Sequence, residues 1–346
     1  MSDKQTQKSG DGSVNIQARD IQLGVSYKEA RQIAQDVFDS NFYKLAGEAQ
    51  KVARARADEI LEKYLNRLAE QAPDAIKSAT DPDMQYALFT AQKEYARIGD
   101  KDLADVLVDI LVDRAAHNDR SLIQIVLNES LNVVPKLTPG QIDVLSIIFI
   151  LRYSICLRLQ NMSGFASYIR DLILPFIQDL PRELCSYQHI EYCNCGTIQI
   201  TTFNIEQQFI RNYPGLFDTG LTKEDADKII TDYGLLPEII VPCVDFENKF
   251  CFIAPYDDKL SEICKKLNLQ DDQIKKIIES RKKRLLKPEQ VKAKIIELVP
   301  ETESLFKVWN ESALHQLTLT SVGIAIAHAN IRRKTNQKFD LNIWIK

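Results

Sequence analysis

The pattern of apolar and polar positions changes along the first residues of the chain. Residues 1–12 are polar and charged, which indicates a flexible leader, and residues 14–24 alternate between apolar and polar with period two. Such alternation is typical of a strand. A strand needs a hydrogen-bonding partner. The leader and strand, residues 1–25, therefore predict pairing with another part of the chain or with a second copy.

Residues 26–72 are predicted to form one long amphipathic helix. A capping box begins at Ser26, no proline follows within the segment, and apolar residues recur about every fourth position. A continuous helix of about 45 residues would be about 68 Å long. Its small side chains permit close approach of another helix (Ala49, Ala53, Ala57). We expect this helix to drive self-association, with coverage by the chain's own helices as the alternative.

Residues 80–181 predict a bundle of shorter helices. Apolar stripes with helical spacing recur there, and capping residues followed by proline mark helix starts. Residues 142–159 are apolar around nearly the whole helix, which predicts a central position. The charges of Asp143, Arg152 and Arg158 argue against a membrane span.

Residues 182–346 mix strand and helix patterns. Residues 197–201 alternate, residues 239–241 and 250–253 are short apolar runs, and residues 339–345 predict a terminal strand. We interpret this part as an α+β domain, with a winged-helix-like arrangement as one form of it. The predicted fold class is therefore mainly α: a long N-terminal helix and a helical bundle, followed by a smaller α+β domain.

Net charge and cysteine usage indicate which partners and which compartment to expect. The net charge of −4 argues against a whole-molecule polyanion binder, although local basic patches stay open. The seven cysteines are an odd number, and the first residues contain no apolar signal segment. These features predict reduced thiols in the cytoplasm, with no membrane partner.

A cysteine and histidine cluster is the candidate metal site. In a helix, Cys185, His189 and Cys193 would share one face, with Cys195 just beyond its end. These ligand types suit zinc. The outer two positions of such a helix lie about 12 Å apart, so one ion could join them only if the helix breaks. The alternative is that the cysteines are small core residues, in which case no cofactor is expected.

An acidic stripe is the second candidate. Asp105, Asp109, Asp113 and His117 recur every four residues and could hold a divalent cation together with a partner helix. The stripe lies away from the apolar positions of the same helix, so we interpret it as a solvated acidic face. Phosphate-loop, hydrolase and metalloprotease motifs are absent from the sequence, so the catalytic residues stay unknown.

Basic clusters are the candidate nucleic-acid contacts. Arg332, Arg333 and Lys334 could contact phosphates, and so could the basic residues at 281–284. Aromatic residues that would stack on bases do not interleave with them. The alternative is an ordinary charged helix surface.

Short motifs spread over most of the chain carry a resemblance: residues 15–20, 26–27, 41–43, 113–116, 127–129, 137–141, 213–217 and 319–325. They resemble an uncharacterised family of bacterial proteins with a short N-terminal strand and a long helix. The ending Leu319-Thr320-x-x-Gly323 is also similar to abortive-infection-type proteins of bacterial conflict systems, although Ile324 and Ala325 depart from that pattern. The resemblance implies a setting in anti-phage defence and no mechanism.

These observations lead to one functional prediction with two alternatives. We expect a non-enzymatic, self-assembling cytosolic bacterial protein of anti-phage defence, acting as an oligomeric scaffold or sensor. It would be a homo-oligomer through its N-terminal strand and long helix. The alternatives are a nucleic-acid-binding protein that uses the basic C-terminal domain, and a metal-dependent enzyme.

Overall fold

A computed structural model describes residues 25–41, 47–117, 120–233, 237–243 and 246–346. The prediction of a mainly α-helical fold with few short strands is confirmed. The predicted leader and strand lie outside the described residues, apart from Val25. Residues 42–46 also lie outside them.

The prediction of one long helix over residues 26–72 is wrong, because the structure has two helices there. Helix α1 (Tyr27–Asn41) and helix α2 (Glu48–Gln71) are separate, and Gly47 before α2 has a φ of 57°, a left-handed conformation that ends helical geometry. Gln35 on α1 contacts Asp58 on α2, and Asp39 contacts Arg54, so the two helices run antiparallel. Ala53 and Ala57 of the alanine stripe are buried against the chain's own helices, which was the alternative expectation, whereas Ala49 is exposed.

The bundle continues with α3 (Pro82–Ile98), α4 (Lys101–Ala115), α5 (Leu122–Val133) and α6 (Pro139–Ile148). Each of these four begins at a side-chain cap, from Asp81, Asp100, Ser121 and Thr138 respectively. A π-helical turn, Phe149–Tyr153, extends α6.

The remaining helices follow in chain order: α7 (Met162–Tyr168), α8 (Leu184–Tyr192), α9 (Ile205–Asn212), α10 (Lys223–Tyr233), α11 (Asp257–Lys266), α12 (Asp271–Lys282), α13 (Pro288–Leu298), α14 (Thr302–Glu311) and α15 (Ser321–Thr335). Helix α15 packs against α4, α5 and α6. Every residue from 323 to 332 is buried, so this C-terminal helix is the centre of the bundle.

Four short strands form two antiparallel pairs in the described part of the chain. Strand β1 (Gly196–Ile198) pairs with β4 (Leu317–Leu319), and β2 (Ile240–Pro242) pairs with β3 (Phe250–Phe252). The strands predicted near residues 197, 239 and 250 are therefore confirmed in shortened form, whereas β4 was not predicted.

The predicted terminal strand is wrong. Its residues form a 3-10 turn, Leu341–Ile343, and their aromatic rings pack on Phe149 of the main core. The Phe339 and Trp344 ring centroids lie 5.3 and 4.8 Å from that of Phe149. Leu341 and Ile345 are buried in the main core, whereas Ile343 is exposed, so the alternating residues make individual contacts that need no strand partner.

Of the three hydrophobic clusters among the described residues, the two largest divide the molecule differently from the predicted boundary at residue 182. The larger cluster, which we call the main core, joins residues 30–217 to residues 291–345. The smaller one lies within residues 221–277. Residues 218–286 therefore form a subdomain inserted into the main core, and we call it the inserted subdomain.

Candidate functional site

Arg332, which the sequence placed on a candidate nucleic-acid surface, lies inside the main core. It is 6% exposed. Its Nη1 donates to Asp113 Oδ1 at 2.6 Å, and its Nη2 donates to the backbone oxygen of Asp109 at 2.5 Å. His328 Nδ1 lies 3.3 Å from Asp113 Oδ2. We call Asp109, Asp113, His328 and Arg332 the α15 ion cluster.

Asp109 and Asp113 of the acidic stripe of α4 belong to this cluster, so the interpretation of the stripe as a solvated face is wrong for these two residues. Asp109 is fully buried and also accepts a hydrogen bond from Arg67 of α2 at 2.6 Å. Asp105 binds Lys63 of α2 at 2.9 Å. The stripe is covered because α2 and α15 supply cations to the face that the apolar residues of α4 leave open.

Burial and pairing act in opposite directions on the pKa values of the α15 ion cluster. Burial raises the pKa of Asp109 above its ordinary value. Burial also acts to raise the pKa of Asp113, but hydrogen bonds and charge from His328 and Arg332 outweigh it and lower that pKa. The two aspartates in turn hold the pKa of Arg332 above its ordinary value despite burial. The charges compensate one another, which suits a structural role for the cluster.

The other two basic residues of the candidate nucleic-acid site also face protein groups. Arg333 pairs with Asp102 at 2.9 Å, and Lys334 pairs with Asp143 at 2.7 Å and donates to the Pro175 carbonyl. Within the described residues, these side chains thus form no exposed basic patch. Nucleic-acid binding stays a prediction that this geometry does not favour.

The candidate zinc residues are only partly brought together. Cys193 Sγ lies 3.7 Å from His189 Nε2, while Cys185 is exposed and Cys195 is fully buried. Burial raises the pKa of Cys195 to about 12 and also raises the pKa of Cys193. In the part of the chain that the structure describes, no group of three His, Cys, Asp or Glu side chains could hold a metal ion.

The Leu319-Thr320-x-x-Gly323 motif has a packing role. Thr320 Oγ1 accepts from the Gly323 amide to cap α15, and it donates to the Asn194 carbonyl at 2.5 Å. A Cβ at Gly323 would overlap the carbonyl oxygen of Cys195. Glycine is therefore required where α15 crosses the turn before β1.

The second basic cluster closes the base of the inserted subdomain. Arg284 donates to both carboxylate oxygens of the buried Asp218, at 3.0 and 2.8 Å, and Leu286 N donates to the Phe217 carbonyl at 2.8 Å. We call these crossing segments, residues 217–219 and 284–286, the neck. Arg281 is 1% exposed and pairs with Asp257 at 3.1 Å. Two arginines predicted as a phosphate contact thus stabilise the subdomain.

A large cleft separates the main core from the inserted subdomain, and it is the candidate functional site. Its volume is about 1490 Å³. The main-core wall is lined by Ile155, Leu157, Gln160 and Asn161, by Phe203 and by residues of α9. The β2–β3 hairpin and the start of α11 line the opposite wall. None of the candidate site residues from the sequence lines either wall of this cleft.

The hairpin wall follows from the alternation of side chains along a strand. Ile240 and Phe252 point into the small hydrophobic cluster of the subdomain. Val241, Cys251 and Ile253 therefore point to the other face and line the cleft, where Ile253 is 42% exposed.

The main-core wall carries aliphatic side chains on an irregular but anchored segment. Ile155 is 51% exposed and Leu157 is 74% exposed. Tyr256 donates its hydroxyl to the carbonyls of Cys156 and Leu159, at 2.9 and 2.7 Å, and Tyr213 accepts from the Cys156 amide at 3.0 Å. The segment thus presents apolar side chains to solvent while its backbone is held in place.

Sequence reasoning missed this cleft for a physical reason. Ile155, Leu157 and Ile253 look like core residues in the sequence, because exposure depends on whether a distant segment covers them. The sequence predicted one central helix over residues 142–159, but helical structure ends with the π-helical turn at Tyr153, so residues 155–159 lie outside it.

The class that this fold defines is a mainly α-helical protein with a small inserted α+β subdomain. A protein-family model matches residues 24–345, and the chain therefore belongs to that family. The match agrees with the resemblance to an uncharacterised bacterial-type family. Comparison with curated proteins found no match, and comparison with solved structures found none either.

No helix among the described residues is both long enough and apolar enough to cross a membrane.

Proposed function

We propose that this protein is a cytoplasmic, non-enzymatic sensor of bacterial anti-phage defence, and that its ligand binds in the cleft beside the inserted subdomain. The cleft is the observation that carries the proposal. Large concave surfaces with exposed apolar side chains on two walls are the usual place for ligands. The defence setting and the cytoplasm rest on the sequence resemblance and composition.

The titratable groups of the cleft favour binding over catalysis. Asp257 pairs with Arg281 at 3.1 Å, and Glu262 pairs with Lys259 at 3.1 Å. Burial raises the pKa of Tyr256 to about 12, so this hydroxyl is a poor proton donor at neutral pH and serves as an anchor for the main-core wall. A general acid or base would need a cleft group poised near neutral pH.

Self-association is the second part of the proposal and depends on the N-terminal residues. The antiparallel α1–α2 pair removes the argument from helix length, so the strand pattern at residues 14–24 carries this part. Light scattering on the full chain and on a chain lacking residues 1–24 tests it. A monomeric full chain would contradict self-association.

A plating assay tests the sensor. We expect the full chain with its native neighbouring genes to reduce phage plaques, and Leu157→Asp combined with Ile253→Asp to abolish the protection. Ile200→Asp is the matched control, because Ile200 is an aliphatic residue that is 98% exposed but does not line the cleft. Equal protection by wild type and the cleft variant would overturn the role of the cleft.

A further inference from the structure

We propose that the cleft ligand is an extended peptide segment that carries large apolar side chains, with an acidic residue toward α9 and a basic residue toward α11. This inference rests on the proposed function and names the chemical class of its ligand. Four properties of the cleft lead to it: size, apolar wall pattern, side-chain amides and unpaired charges.

The size of the cleft favours a chain over a small metabolite. Its volume of about 1490 Å³ exceeds the roughly 300–1000 Å³ that is typical of small-molecule pockets. It is also an open groove between two bodies, which an extended chain can enter along its length.

Both walls offer aliphatic contacts at intervals. The hairpin presents Val241 and Ile253 on one wall, and the anchored segment presents Ile155 and Leu157 on the other. Exposed side chains of this kind pack with apolar side chains of a partner, and burying them is favourable by about 25 cal/mol per Å². A polar ligand would leave this surface uncovered.

The amide side chains of the cleft match the hydrogen-bonding groups of a peptide backbone. Asn161 Oδ1 accepts from the Gly164 amide, and Asn212 Oδ1 accepts from Gln208 Nε2 at 3.1 Å. The NH₂ groups of Asn161 and Asn212 and the carbonyl oxygen of Gln208 face no described hydrogen-bond partner. Gln160 is exposed and adds a donor and an acceptor. A peptide group presents the complementary pair, one N–H and one C=O.

Two exposed charges give the ligand a direction. Arg211 near the end of α9 and Asp258 in the first turn of α11 lie on opposite walls, and no ion pair joins either one to another described residue. A peptide with an acidic and a basic residue at matching positions would complement both. The exposed carboxylate of Asp258 at the start of α11 disfavours a polyphosphate or nucleic acid along this wall.

The test selects a random displayed peptide library for binding to the full-length protein. The enriched peptides are then synthesised, and their affinity is measured by fluorescence anisotropy. We expect enriched peptides with spaced large apolar residues. The Leu157→Asp and Ile253→Asp double variant should weaken their binding about tenfold or more. Ile200→Asp should bind them as the wild type does.

A charge exchange provides the second arm, and it does not depend on apolar contacts. Peptides selected on Arg211→Glu should carry a basic residue in place of the acidic one. Peptides selected on Asp258→Lys should carry an acidic residue in place of the basic one. Both substituted residues are exposed, and melting curves verify the fold of each variant.

The outcomes separate this proposal from the sensor itself. No enrichment over the double variant, or equal affinity for wild type and double variant, would overturn the peptide ligand. If the same double variant also loses phage protection, the sensor stands and its ligand belongs to another class. If protection is unchanged, both proposals fail.

Discussion

The α15 ion cluster and the cleft both place arginine and aspartate residues near apolar surface. The charges are buried and paired in the cluster, whereas they are exposed in the cleft. In the cluster, Arg332 is 6% exposed and contacts Asp109 and Asp113 through short hydrogen bonds. In the cleft, Arg211 and Asp258 are exposed and unpaired with other described residues. Buried charges must be compensated inside the protein, whereas exposed charges stay available to a ligand. Residue type alone therefore does not separate a structural site from a binding site.

The largest expected effect comes from breaking the α15 ion cluster. Arg332→Met leaves Asp109 and Asp113 buried without their shared cation, so the free energy of unfolding should fall by about 3–5 kcal/mol. Urea denaturation followed by circular dichroism measures this loss. Arg54→Met is the control, because both members of its ion pair with Asp39 are exposed, and it should cost less than about 1 kcal/mol. Equal losses of unfolding free energy in both variants would contradict the expected difference between a buried and an exposed ion pair.

The neck should give a smaller and more local effect. Asp218→Asn removes one charge from a buried bidentate pair with Arg284, which should cost about 2–4 kcal/mol. Hydrogen exchange should become faster in the inserted subdomain while α4 and α15 keep their protection. Glu262→Gln, in an exposed ion pair on α11, is the control. Uniformly faster exchange in both clusters would show that they unfold as one unit.

The close crossing at Gly323 should give the next effect. Gly323→Ala must push the N-terminal turn of α15 away from the Cys195 carbonyl, at a cost of about 1–3 kcal/mol. Gly164→Ala is the control, because the nearest atom to its added Cβ would be 3.4 Å away. The control should be neutral or slightly stabilising, by up to about 1 kcal/mol, in a helix. Thermal unfolding of the two variants compares them directly.

The smallest expected effect is a pH dependence. The pKa of Asp113 is lowered in the folded protein. Its ionised form therefore contributes stability above the ordinary aspartate pKa of about 4, and this contribution is lost as the pH falls through the folded pKa. The stability difference between wild type and Asp113→Asn should be larger at neutral pH than in acid. Urea midpoints across that range measure it, and a difference that grows in acid would contradict this sign.

Much of the local structure could be predicted from the sequence. The caps at Asp81 and Thr138 and the alternating or apolar runs near residues 197, 239 and 250 depend on neighbours within a few positions. The candidate sites could not be predicted in the same way. Arg332 meets Asp113 across more than 200 positions of sequence, and no local pattern distinguishes that pair from a surface charge.

The sequence by itself determined the mainly helical fold, several helix starts and the absence of the catalytic motifs that depend on short spacing. Only the tertiary structure decided that residues 26–72 contain two antiparallel helices, that α15 is central, and that residues 218–286 form a separate subdomain. It also decided which apolar side chains stay exposed in the cleft. The physical reason is that periodicity shows which face of an element is apolar, while burial depends on which distant element covers that face.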